Sequence, residues 1–186
     1  MTKNTVSIVR YEKASESVKK AVELCGGLDH LPPKAKVFIK PNIVFWTKAV
    51  PFPKWGVITT SRVIEDVIVL LKDRGIDDIT IGEGIVVADL KDRETPAHAF
   101  KTLGYETLKK KYGVKFINIF DRDFEKVDLG EGIELKFNSD IMHSDFVVDL
   151  PAMKAHNLTK VSLGIKNIKG MIDINIQSLP PAVVKE

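Results

Sequence analysis

"KVFIKPNIV" (residues 36–44), followed by "GVITTSRVIEDVIVLLKDRGIDDITIGEG" (56–84), decides the fold. The first run is β-branched and aromatic up to Pro41, which cuts a strand short because it has no N–H to donate. The second begins with residues of helical period, RVIEDVIVLLKDR, opens near Thr60 or Ser61 and stops at Gly75. DITIGEG (78–84) then reads as another strand. Strand, helix and strand in this order are a βαβ unit, and a chain of such units builds a mostly parallel sheet.

Working outward, TVSIVRY (5–11) reads as a first strand. It leads into SVKKAVELC, whose Val18, Ala21, Val22 and Cys25 share a helical face before Gly26 and Gly27 stop it. Thr95 before Pro96 predicts a helix start, in a segment that ends at Gly113 and can break at Gly104. KFINIF (115–120) predicts a strand. Val127 and Leu129 alternate up to Gly130-Glu131-Gly132, and Ile133, Leu135 and Phe137 alternate away from it, the pattern of an antiparallel hairpin. DFVVDLP (145–151) reads as a buried strand. The expected architecture is a single α/β domain over 1–186, a Rossmann-like three-layer arrangement with a mostly parallel sheet and an inserted antiparallel hairpin.

The segment MKAHNLTKVSLGIKNIKG (153–170) is distinctive, because no acidic residue lies between Asp149 and Asp173. Leu158, Val161, Ile165, Ile168 and Ile172 recur at steps of three and four with Asn157 as N-cap, which predicts a helix. Alternation through Val161, Leu163 and Ile165 keeps a strand as the alternative.

The 186 residues are 44% hydrophobic and 28% charged with a net charge of +3, the balance of a globular protein rather than of a disordered or bulk nucleic-acid-binding chain. One cysteine, Cys25, excludes an internal disulfide framework or a cysteine-rich iron–sulfur or zinc site made by this chain alone, and suits a reducing compartment. No apolar run approaches the ~20 residues that span a bilayer. The expectation is a cytoplasmic protein with no membrane partner. GEG at 82–84 lacks the third glycine of a dinucleotide fingerprint, and no GxxxxGK[ST], HExxH, GxSxG or CxxC occurs.

In open parallel sheets ligands sit beyond the carboxyl ends of the strands, where helix N-termini favour anions. Lys40 and Asn42, Thr59 and Thr60, Glu83, and Lys154 with His156 all fall at such ends, and Lys166 and Asn167 follow in the basic segment. Together they predict a pocket for a carboxylate or phosphate. Lys154 and His156 are the candidates for proton transfer, and Lys40, Asn42, Thr59, Thr60, Glu83, Lys166 and Asn167 the candidates for ligand binding. Taken singly, each lysine also fits a side chain that runs over apolar surface with its ammonium in water. Glu83, Asp89 and Asp149 are acidic, but their spacing specifies no metal, and no cofactor is assigned. Phe45, Trp46, Phe52 and Trp55 form an aromatic loop that either covers the pocket or docks a protein partner. A second copy of the chain is a further candidate partner.

Three stretches, VFIKPNIV, GVITTSRVIEDVIVLLKDRGIDDITIGEG and FVVDLPAMKAHNLTKVSLGIKNIKGMI, resemble the successive motifs of the DUF362 family over about residues 36–172. The resemblance marks Lys40, Asn42, Thr59, Thr60, Lys154, His156, Lys166 and Asn167 as family-motif positions. It implies no agreed general activity. Family members often carry a ferredoxin-like cysteine segment, which has no counterpart here, and usually extend further, so the resemblance implies a short version or a fragment. Two functions follow as expectations: a protein that binds, and acts by proton transfer on, a small anionic molecule; or a non-catalytic accessory module for redox or cofactor-assembly proteins. Nucleic-acid binding is disfavoured, because the aromatics are not interleaved with the lysines.

Overall fold

A computed structural model describes residues 5–48, 56–87, 89, 91–157 and 159–173. Strands β1 (Val37–Pro41), β2 (Ile79–Glu83), β3 (Lys115–Asn118) and β6 (Phe146–Leu150) form a four-stranded, all-parallel sheet in the order β3-β2-β1-β6. Between β3 and β6 the chain makes an antiparallel hairpin of β4 (Phe124–Asp128) and β5 (Glu134–Asn138), as the alternation around Gly130-Glu131-Gly132 predicts. All three turn residues have positive φ, which glycine adopts without a Cβ penalty.

Helices flank the parallel sheet. The sequence places α1 (Glu16–Leu24) and α2 (Ser61–Lys72) closely, and α2 buries Ile64, Val67, Ile68 and Leu71 on one stripe. The segment after Pro96 breaks at Gly104, φ +84°, into α3 (Glu94–Thr102) and α4 (Tyr105–Tyr112). Asp92, rather than Thr95, caps α3: its Oδ1 accepts from the backbone N–H groups of Glu94 and Thr95, each at 2.9 Å. The larger core combines Val37, Ile39, Ile79 and Ile81 from the strands with α2 and Tyr105 and Leu108 of α4. A smaller cluster of Phe38, Ile119 and Met171 covers the opposite side chains. That division follows the period of two along a strand.

Three expectations are corrected. Among the described residues, 5–11 pair with no strand: Val6 and Ile8 are exposed, and the segment is held through hydrogen bonds to a side chain, with the Tyr11 hydroxyl donating to Asp66 at 2.8 Å and the Ser15 N–H donating to the same carboxylate at 2.7 Å. Asp66 is buried in α2, so the anchor lies in the helical layer, and strand propensity without ladder partners leaves an extended coil. Among the described residues β6 is an edge strand with β1 as its one ladder partner, and it is only half-buried. The predicted helix from Asn157 is instead a short hairpin of β7 (Lys154–His156) and β8 (Lys160–Ser162), and helix appears only in α6 (Gly164–Ile168), continued as a 3-10 turn over Lys169–Met171. The positive φ of Lys160 makes the tight turn and shuts out a helix there. Leu158 lies outside the described residues. After α5 (Ser139–Met142), which the sequence pattern did not predict, the chain enters β6 at the position of the predicted DFVVDLP strand and runs on into the basic segment.

Candidate functional site

The carboxyl ends of β1, β2 and β6 meet in one buried polar network. Lys40 of β1 is the register partner of Asp149 in β6, so their side chains leave neighbouring strands side by side. The Lys40 ammonium donates to Glu83 Oε1 at 2.7 Å and to the Pro41 carbonyl at 2.7 Å, with Asn167 Oδ1 at 3.4 Å. Glu83 spends its other acceptor capacity on backbone: Oε2 takes the Ile43 N–H at 2.6 Å and Oε1 the Gly84 N–H at 2.8 Å. The pair is 1% and 2% exposed. Burial of two charges is tolerated here because each finds a partner and further hydrogen bonds.

Asn167, delivered by α6, links the strands. Its Nδ2 donates to Asp149 Oδ1 at 2.6 Å and to the Lys40 carbonyl at 3.1 Å, while its Oδ1 accepts from Asn42 Nδ2 at 3.1 Å. Asn42 Oδ1 in turn accepts from the Lys154 ammonium at 2.6 Å, which also donates to the Val57 carbonyl at 2.5 Å. The Thr59 hydroxyl accepts from the Asn42 N–H at 2.9 Å and donates to the Leu150 carbonyl, and the Thr59 carbonyl accepts from the Tyr105 hydroxyl at 2.7 Å. Among the described residues no buried side-chain polar atom lacks a partner.

Close approach explains the local glycines. A Cβ on Gly82 would strike the Phe38 ring, and one on Gly84 the Phe120 ring, so the two glycines on either side of Glu83 make room for two phenyl groups. Gly164 lies against Asp149, its hypothetical Cβ 3.0 Å from Oδ2, and Gly170 stands over the Lys40 and Glu83 side chains.

Two groups at the rim are shifted toward neutrality. Burial pushes the Asp149 carboxyl up, against the Asn167 N–H and Lys40, with Glu83 adding to the rise. Burial pushes the Lys154 ammonium down; Glu83 opposes this and Lys166 adds to it. Asp149 also lines a cleft of about 440 Å³ between the end of β6 and the start of α2, together with Thr59, Thr60, Arg62 and Met153. Thr60 is the N-cap of α2, and its side chain makes no capping bond to the helix.

The structure therefore brings together Lys40, Asn42, Thr59, Glu83, Lys154 and Asn167 in the network and sets Thr60 in the adjoining cleft. Lys40 faces Glu83 instead of an open pocket. Lys166 is half-buried on α6 and borders a different groove. His156 sits at the end of β7, its Nδ1 accepting from the Thr159 N–H at 3.3 Å across the turn. Trp46 packs on the main core and donates to the Thr102 hydroxyl at 3.0 Å, while Phe45 is at the surface; Phe52 and Trp55 lie outside the described residues. Asp149 and Tyr105 are the side chains of the network that the sequence left unassigned; Asp149 concerns the site most. Its signal was an aspartate inside an apolar strand, FVVDL, in register with a lysine. Among the described residues, no group of three or more His, Cys, Asp or Glu side chains is placed to hold a metal ion, and no helix is long and apolar enough to cross a membrane.

Fold and site define an α/β protein with a buried, fully paired charge network at the carboxyl edge of a parallel sheet. The chain belongs to the DUF362 family, a domain of unknown function, whose model matches residues 37–178. That match contains every element of the network from Lys40 to Gly170. No curated protein matches the chain.

Proposed function

We propose that the protein binds a small anionic molecule, a carboxylate or phosphate, in the cleft between β6 and α2, and that proton transfer at this site is the chemistry it supports. The carrying observation is that Asp149 belongs at once to the cleft wall and to the buried network. The start of α2 and Arg62 supply positive potential at the cleft. Asp149, whose carboxyl burial pushes up, is the cleft group suited to exchange a proton with a ligand oxygen. Lys154 holds the Val57 carbonyl, between the cleft-lining residues Gly56 and Ile58, and its depressed pKa suits it to give up or regain a proton. Lys40 and Glu83 act behind them as a fixed, mutually neutralising pair that holds Asn167 in place.

The test is a calorimetric and thermal-shift titration with inorganic phosphate and a panel of small di- and tricarboxylates. At least one compound of this class is expected to bind, with affinity falling tenfold or more, about 1.4 kcal/mol, in Asp149→Asn and Thr60→Val. Lys154→Met is expected to weaken binding similarly while leaving the folded far-UV spectrum intact. Failure of the whole panel to bind, or affinities unchanged in all three variants, would overturn the reading.

A further inference from the structure

We infer that a second surface, remote from the anion cleft in chemistry, docks an amphipathic helix with acidic flanks. A groove of about 850 Å³ is walled by β8, α6 and the residues around Phe137, with Val161, Leu163, Ile165 and Ile168 as its apolar lining. Ile165 is 93% exposed, and Val161 and Leu163 are also at the surface, an arrangement that marks a contact face. Among the described residues its charged members are lysines: Lys166 and Lys169 line it and Lys160 adjoins it on β8, in a stretch without an acidic residue from 150 to 172.

The groove's hydrogen-bonding capacity narrows the occupant. Among the described residues, Thr159 is its one polar side chain apart from the lysines, and that hydroxyl already donates to the Val161 carbonyl at 2.9 Å. The neighbouring stretch of β5 is also occupied, with Phe137 bridged antiparallel to Ile172 and the Asp173 N–H donating to the Lys136 carbonyl at 2.9 Å. An extended peptide would leave its backbone groups unpaired here. A helix satisfies its own backbone and needs from the receptor only an apolar trough, which is how helices dock in grooves. The lysine rim selects acidic flanks and disfavours a two-fold contact with a second copy, which would set like charges against each other.

The probes are a synthetic helical peptide with leucines on one face and glutamates on both flanks, its lysine-flanked counterpart, and phosphatidylglycerol vesicles, each titrated against the full chain by fluorescence anisotropy or co-sedimentation. The acidic peptide is expected to bind at least tenfold more tightly than the basic one. Lys166→Glu with Lys169→Glu should reverse that preference, and Ile165→Ser, a surface change that leaves packing intact, should weaken the acidic peptide about tenfold. Equal binding of both peptides, a preference that survives charge reversal, binding to vesicles only, or no binding at all would each overturn the inference.

Discussion

The two ends of the parallel sheet carry ion pairs of the same length in opposite surroundings. At the carboxyl end Lys40 meets Glu83 at 2.7 Å with both side chains sealed from water. At the amino end Lys115 meets Asp78 at 2.7 Å, but these side chains are 65% and 38% exposed, and Arg122 with Asp140 is similarly open at 2.9 Å. Distance is thus no guide to what each pair does. In water the two charges are already solvated, so their pairing adds little, whereas a buried pair must hold itself together because neither partner survives alone. The amino-end pairs lie at the surface, and the carboxyl end fixes the positions of Asn42, Asn167 and Asp149.

The largest effect is expected for Glu83→Ala, which orphans a buried ammonium and two backbone N–H groups and should cost ~3–5 kcal/mol in urea denaturation. A cost no greater than that of Asp78→Ala would break the comparison outright. Replacing both partners, Lys40→Met with Glu83→Leu, should recover part of that loss, since no uncompensated charge remains. Next comes Asn167→Ala, which removes four hydrogen bonds of the network and should cost ~1–3 kcal/mol by the same assay.

Asp149→Asn sharpens the contrast through pH. With its folded pKa raised above 3.8, Asp149 contributes full stability below 3.8 and loses it as pH rises through the folded value. The variant cannot ionise there, so its melting temperature relative to the parent should improve steadily as pH climbs from 3.8 through that value. A difference independent of pH would show that the carboxyl is not desolvated. Asp78→Ala closes the series, at under ~1 kcal/mol and further reduced by salt.

Much of this was legible in order and type. Hydrophobic period placed β1, α2, β2 and the β4–β5 hairpin, and the rule that ligands gather at strand carboxyl ends singled out Lys40, Asn42, Thr59 and Glu83 before any contact was known. Residues 5–11 misled because alternation cannot reveal whether a partner strand is available. The basic segment misled for a related reason: its apolar residues fit a helix by spacing, but the left-handed turn at Lys160 and the pull of Lys154 toward Asn42 folded its first half into a hairpin.

The sequence alone therefore determined the alternating α/β order, the parallel sheet that such order requires, and the family, since each is written in local period and motif. Only tertiary structure decided that Lys40 pairs with Glu83, that Asp149 joins the network, and that the lysines of one short motif divide between the half-buried edge of that network and an open groove. Charge in a sequence carries no information about its dielectric surroundings, and residues 40, 83, 149 and 167 acquire common surroundings only when three strand ends and α6 converge.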